Sequence, residues 1–130
     1  MNVYDPSPTD INEWLLTGDW KWPEQDWDLY VINGHNDELI FQRANDDSGH
    51  QHAFFVHCLY HLVGDFVEWN SDNADIRARI DHLLDAVNDS SHSAVIKWKV
   101  ETQAVLNGGM PFDLRYWINF LFNRDVEPGI

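Results

Sequence analysis

Hydrophobic residues recur at helical spacing along most of this chain. The clearest case lies between residues 71 and 88, where charged side chains fall away from an apolar stripe at i, i+4, i+7, i+8 and i+11. The stripe consists of Ile76, Ile80, Leu83, Leu84 and Val87. This pattern predicts an amphipathic helix that packs one face against a core.

Two segments nearer the C-terminus have the same period. "SSHSAVIKWKVETQAVLNGG" begins at serines able to cap a helix and stops at Gly108, and its arc consists of Val95, Trp98, Thr102, Val105 and Leu106. Pro111 then opens a predicted helix over residues 112–122, with a core stripe of Leu114, Trp117, Ile118 and Leu121. Three aromatic residues fall largely outside that stripe and form a candidate oligomer interface, that of a homodimer: Tyr116, Phe120 and Phe122.

The front third of the chain is less regular. "TDINEWLLTG" predicts a short helix with Thr9 or Asp10 as N-cap, Glu13 at capping-box distance from Asp10, and Gly18 as its end. Residues 27–43 fit either two strands joined by a hairpin loop or a helical stretch capped at Asn36, and we favour the helical interpretation.

Taken together, the periods predict a mainly-α fold. We expect residues 1–130 to form a single compact helical domain of about five to six helices, with a short β-hairpin within residues 27–43 as the alternative.

The segment "HAFFVHCLYHLVGDFVEW" is apolar over a wide arc of its helical wheel. His57 and His61 lie four residues apart on the narrow polar remainder, together with Gly64, Asp65 and Glu68. Two histidines one turn apart can share a metal ion, and an acid a turn further on can add an oxygen ligand. Such a site would need another histidine as well, from His50, His52, His82 or His92. We favour an ordinary polar stripe on a helix central to the core, with no metal and no cofactor, and a close neighbour or a weak point at Gly64.

The net charge of the chain indicates which classes of partner it can bind. The chain has 22 acidic and 8 basic residues, a formal net charge of −14, against a magnitude of about 2 to 8 for an ordinary small domain. Such a surplus repels phosphate backbones, so direct nucleic-acid binding is not expected, and it attracts basic proteins. Residues 1–42 contain nine of the acids and one base, Lys21.

The remaining composition indicates a cytoplasmic protein that does not associate with membranes. Cys58 is the single cysteine, which suits a reducing compartment. "MNVYDPSPTD" has neither the basic nor the apolar part of a signal peptide, and no run of about 18 apolar residues occurs.

Indole rings and acids alternate in "WLLTGDWKWPEQDWDLY". Trp and Tyr most often anchor protein interfaces, and acids around them can pair with Lys and Arg of a basic partner. The predicted partner-binding residues are Asp19, Trp20, Trp22, Glu24, Asp26, Trp27 and Asp28. The alternative is that Trp14 and Trp27 anchor the core while Trp20 and Trp22 cover the loop above it.

No motif for nucleophilic, phosphate-binding or dinucleotide chemistry occurs, and we assign no catalytic residue. In length, charge and lone cysteine, and in "AFFVHCLYHLVGDFVEW", "IRARIDHLLDAV" and "FDLRYWINFLF", the chain resembles the small acidic immunity proteins of bacterial toxin systems. That resemblance implies an inhibitor that occludes the active site of a cognate toxin in the cytoplasm. Two alternatives stay open: an anti-CRISPR-like or nucleic-acid-mimic inhibitor, and a metal-dependent helical enzyme that uses His57 and His61.

Overall fold

The computed structural model describes residues 1–18, 21–48 and 51–113. Within these ranges the chain forms α-helices and no strand. The helices are α1 (Pro8–Leu16), α2 (Trp27–Val31), α3 (Asp37–Ala44), α4 (His52–Trp69), α5 (Ala74–Ala86) and α6 (Ser93–Leu106). The predicted mainly-α fold is therefore confirmed, and residues 27–43 form α2 and most of α3 rather than a β-hairpin.

Helix α4 lies at the centre of the fold. Eleven of its eighteen residues are buried, and it contacts α2, α3, α5 and α6. A helix that packs only one face keeps a polar face in solvent, whereas a helix covered on several sides needs apolar residues over most of its circumference. The wide apolar arc of α4 is thus a consequence of its central position.

Helices α5 and α6 cover α4 with the faces that the sequence predicts. The buried residues of the α5 stripe are Ile80, Leu83, Leu84 and Val87, and those of the α6 arc are Val95, Trp98, Thr102 and Val105. Ile76 and Leu106 lie partly buried at the edge of the core. A polar contact adds to this packing, because the buried Tyr60 hydroxyl donates to Oε1 of Glu101 on α6 at 2.7 Å.

Two helix starts differ from the predicted ones. Helix α1 begins at Pro8, and its capping box joins Ser7 and Asp10: the Asp10 amide donates to Ser7 Oγ at 3.2 Å, and the Ser7 amide donates to the Asp10 carboxylate at 3.0 Å. Proline fits the first helical position because a backbone N–H at that position has no acceptor within the helix, so its absence costs no hydrogen bond. Helix α6 is capped by His92 rather than by a serine, with Nδ1 accepting from the Ala94 amide at 3.0 Å.

Polar side chains fasten the connections around α3. Arg79 on α5 donates to both carboxylate oxygens of Asp37, at 2.8 and 2.9 Å, and also to the Ile32 carbonyl at 2.9 Å. Asn36 precedes α3 but its side chain makes no cap bond. It is buried, and its amide donates to the Pro6 carbonyl at 2.9 Å, so it links the N-terminal segment to the α2–α3 connection.

Residues 111–113 follow α6 and are not helical. The rest of the predicted helix over residues 112–122, with Tyr116, Phe120 and Phe122, lies outside the described residues. Among the helices that are described, none combines the length and the apolar character needed to span a membrane.

Phe112, which follows α6, packs against α4 at Gly64. A Cβ built on this glycine would lie 2.5 Å from Cζ of Phe112, and Phe112 is partly buried against the core. The phenyl ring therefore occupies the space that any side chain at position 64 would fill, which corresponds to the close-neighbour interpretation of this glycine.

We expect Gly64→Ala to destabilise the protein by about 1 kcal/mol, because the displaced Phe112 ring loses more burial than the helix gains in propensity. In a Phe112→Ala background the same substitution should stabilise the protein by about 0.5–1 kcal/mol, since only the propensity gain remains. Urea unfolding of the four proteins measures this double-mutant cycle. Additive effects would mean that the ring does not press on Gly64.

Candidate functional site

A buried polar cluster joins α2 to α4. His57 and His61 lie one turn apart on α4, and Asp28 reaches them from α2. His57 Nε2 lies 2.7 Å from Asp28 Oδ2, and His61 Nδ1 lies 2.9 Å from the same oxygen. We call these three residues the Asp–His–His triad.

The triad lies in the interior of the molecule. Asp28 is 7% exposed and His57 is 3% exposed, while His61 is partly buried. The polar stripe expected on α4 is therefore covered by α2 at these positions instead of facing solvent. Asp65 does not join the triad, and its carboxylate accepts from the Asn70 amide group at 3.2 Å.

Two effects of opposite sign act on the carboxyl group of Asp28. Burial raises its pKa, but the contacts with His57 and His61 lower it more, so the pKa lies well below the ordinary value. Asp28 is thus ionised and can only accept, and His57 Nε2–H donates to it. His61 Nδ1 lies 2.9 Å from the same oxygen, and this contact also favours the ionised carboxylate.

Aromatic rings pack beside the triad. Trp22, partly buried, stacks on the His57 ring with a centroid distance of 6.3 Å and an interplanar angle of 28°. Trp22 also meets Phe54 edge-on at 5.4 Å, and Phe54 in turn meets Trp14 at 5.1 Å. Trp14 contacts Trp27 at 5.7 Å, so the tryptophans form a layer over the front end of α4.

The predicted partner-binding residues separate into two groups. Trp27 and Asp28 belong to the interior, at 0% and 7% exposed, because positions 27, 28 and 31 share one helical face that packs on α4. Trp14 is also buried, as the alternative of core anchors required. Asp26 is exposed, whereas Trp22 and Glu24 are partly buried, and Asp19 and Trp20 lie outside the described residues.

Two tyrosines, Tyr4 and Tyr30, lie near Glu24 and Asp26. Tyr4 is 67% exposed and its hydroxyl donates to Glu24 Oε2 at 3.4 Å. Its ring meets that of Tyr30 edge-on at 5.4 Å. Desolvation raises the pKa of Tyr30, and the negative charges of Asp26 and Glu24 raise it further. We call Tyr4, Glu24, Asp26 and Tyr30 the acidic tyrosine face.

Sequence reasoning did not single out these tyrosines: Tyr4 precedes α1, and Tyr30 ends the Trp-rich segment, in which the indoles and acids were selected instead. It also missed Trp69, which lies at the end of α4 and is 80% exposed. Asp28, the third member of the triad, was also not identified from the sequence, because a further histidine was expected as the additional ligand. Of those candidates, His52 packs against His92 at 4.5 Å, His82 is exposed, and His50 lies outside the described residues.

We expect Asp28→Asn to destabilise the metal-free protein by about 3 kcal/mol at pH 7, because it leaves one buried and one partly buried imidazole without their anion. A carboxyl group with a lowered folded-state pKa contributes stability above its unfolded pKa of about 3.9, and that contribution is lost as the pH falls toward the folded value. Urea unfolding in EDTA from pH 7 to pH 3 measures the difference between the two proteins.

The difference in unfolding free energy between wild type and Asp28→Asn should decline once the pH is below about 4. A difference that stayed constant down to pH 3 would show that the Asp28 charge does not stabilise the fold. Asp85→Asn, at an exposed position on α5, is the matched control and should change stability by less than about 0.5 kcal/mol.

Comparison of the chain with protein-family models, with curated proteins and with solved structures found no match. The function of this protein is therefore inferred from the chemistry of its own residues, above all from the acidic tyrosine face and the Asp–His–His triad.

Proposed function

We propose that this protein is an acidic cytoplasmic inhibitor that binds a basic partner protein through the acidic tyrosine face. The function that suits it best is that of an immunity protein, which neutralises a cognate toxin by covering its active site. The observation that carries the proposal is the grouping of two tyrosine rings with two carboxylates, of which Tyr4 and Asp26 are exposed and Glu24 and Tyr30 are partly buried.

The chemistry of this face suits a protein interface. Tyrosine supplies a large rigid contact area together with a hydroxyl group, and it is enriched at the centres of interfaces. Leu29, the neighbour of Tyr30 on α2, is 42% exposed and adds apolar area. Glu24 and Asp26 can pair with Lys or Arg of the partner.

The charge of the whole chain supports the same type of partner. With a net charge of −14, the protein attracts a basic surface over a distance of about 10 Å at moderate ionic strength, and this raises the association rate. Most acidic residues in the described ranges are exposed. They are therefore available for steering.

Occlusion needs no reactive group on the inhibitor. Carboxylates placed in a basic cleft occupy the positions of substrate phosphates or other anions, and the tyrosine rings exclude water around them. An anti-CRISPR-like or nucleic-acid-mimic inhibitor would use the same contacts. The identity of the captured partner decides between the two.

We expect the double substitution Glu24→Lys with Asp26→Lys to weaken binding of the partner by about tenfold or more at low salt, because it reverses both negative charges of the face. The matched control is Asp85→Lys with Asp89→Lys, which gives the same net charge at exposed positions of α5 and the loop after it. Each protein is used to capture partners from extract of the native cell at 50 mM and 500 mM salt, and the affinity for the purified partner is then measured.

The proposal requires three results. Wild type and control capture the same basic protein in a salt-sensitive manner, the face variant does not, and wild type inhibits the activity of that protein. Both variants should melt within about 2 °C of wild type, since Asp26, Asp85 and Asp89 are exposed and Glu24 is only partly buried. Equal weakening by the two variants, or loss of binding on Trp69→Ala alone, would place the interface elsewhere.

A further inference from the structure

Three ligand atoms converge inside the protein. Asp28, His57 and His61 each offer one ligand atom, and these atoms all lie within 4.8 Å of one another, in a group assembled from two helices. Histidines at i and i+4 on one helical face are a recurrent arrangement for binding a transition metal. The carboxylate comes from 29 residues before the first histidine.

From this arrangement we propose that Asp28, His57 and His61 bind one divalent transition-metal ion of the zinc class. Two imidazole nitrogens and one carboxylate oxygen suit Zn²⁺ or Co²⁺, whereas Mg²⁺ and Ca²⁺ favour ligand sets made only of oxygen. Three protein ligands leave a fourth tetrahedral position for a water molecule.

The two nitrogen–oxygen distances in the triad require only a small adjustment. Zinc–nitrogen and zinc–oxygen bonds of about 2.0–2.1 Å in a tetrahedron separate neighbouring ligand atoms by roughly 3.3 Å. The present separations of 2.7 and 2.9 Å therefore need to open by about half an ångström. The His57 and His61 rings already lie nearly perpendicular, at 83°, so each nitrogen approaches the carboxylate from its own direction.

The surroundings allow that adjustment at one histidine and restrain the other. The His61 side chain is 19% exposed, against 4% for His57. His61 therefore has more room to adjust than His57, although its Nδ1 atom is itself buried. The His57 ring is stacked against Trp22, which holds its orientation.

An ion in this position would also fasten a weak element. Helix α2 has five residues and no side-chain cap bond at its start, so its own hydrogen bonds stabilise it little. A metal that binds only the folded chain adds its binding free energy to the stability of the fold. The packing of α2 on α4 is the part that the ion would stabilise most directly.

The test uses untagged full-length protein that has been treated with EDTA and desalted. Calorimetric titration should give one Zn²⁺ per chain and no binding of Mg²⁺ at the same concentrations. A hundredfold excess of Zn²⁺ over Kd should raise the Tm by roughly 10 °C. Co²⁺ should produce the visible absorption of a tetrahedral site. No binding of Zn²⁺ at micromolar concentrations would overturn the proposal.

Two histidine variants locate the site. His61→Ala removes a partly exposed ligand and should weaken Zn²⁺ binding by about 100-fold or more. His82→Ala, at an exposed position on α5, is the matched control and should leave the affinity unchanged. Equal affinities of the two variants would show that the ion binds elsewhere and would refute this site.

Asp28→Asn provides a second check, with far-ultraviolet circular dichroism to establish that the variant is folded at the temperature used. It should lose the Co²⁺ absorption while keeping its helices. Retention of the wild-type spectrum would exclude the carboxylate as a ligand. No partner protein enters these measurements, so their outcome is independent of the proposed inhibitory function.

Discussion

The contact between Asp28 and the two histidines of α4 is the interaction around which this protein is organised. An α-helix at the centre of a small domain has almost no face left for solvent, so every polar side chain on it needs a partner from a neighbouring element. Helix α2 supplies that partner for His57 and His61 in the form of one carboxylate. The position of α2 on α4 follows from this requirement together with the burial of Trp27 and Val31.

The aromatic residues around α1 and α2 fall into two groups that differ in burial. Trp27 and Trp14 are large enough to fill the space where α1 and α2 approach α4, and Trp22 covers the triad from the side. Tyr4 and Tyr30 have a hydroxyl group that prefers contact with water or a carboxylate, and they lie outside that layer. The result is an indole-rich interior beneath a surface of tyrosines and acids.

The proposed metal site and the proposed partner-binding face are physically connected, because α2 contributes residues to both. Asp28 faces α4, whereas on the same short helix Leu29 is exposed and Tyr30 is partly buried beside Tyr4. Whatever holds Asp28 in place therefore also sets the position of the acidic tyrosine face. A preorganised face loses little conformational entropy when a partner binds, which makes its contacts more effective.

By itself the sequence determined the helical character of the chain, the faces of α5 and α6, and the surplus of acidic charge. Each of these is encoded in residues within a few positions of one another, because a helix repeats every 3.6 residues and charge is additive. The choice among neighbouring cap residues was harder to predict: Ser7 caps α1 in place of Thr9 or Asp10, and His92 caps α6 in place of a serine.

Only the tertiary structure decided which residues of the Trp-rich segment are buried, that Asp28 completes a group with His57 and His61, and that Phe112 fills the space at Gly64. These contacts join positions far apart in the chain, and no periodicity relates their sequence separations to distance. They exist because packed helices bring particular turns together, and the packing is a property of the whole core.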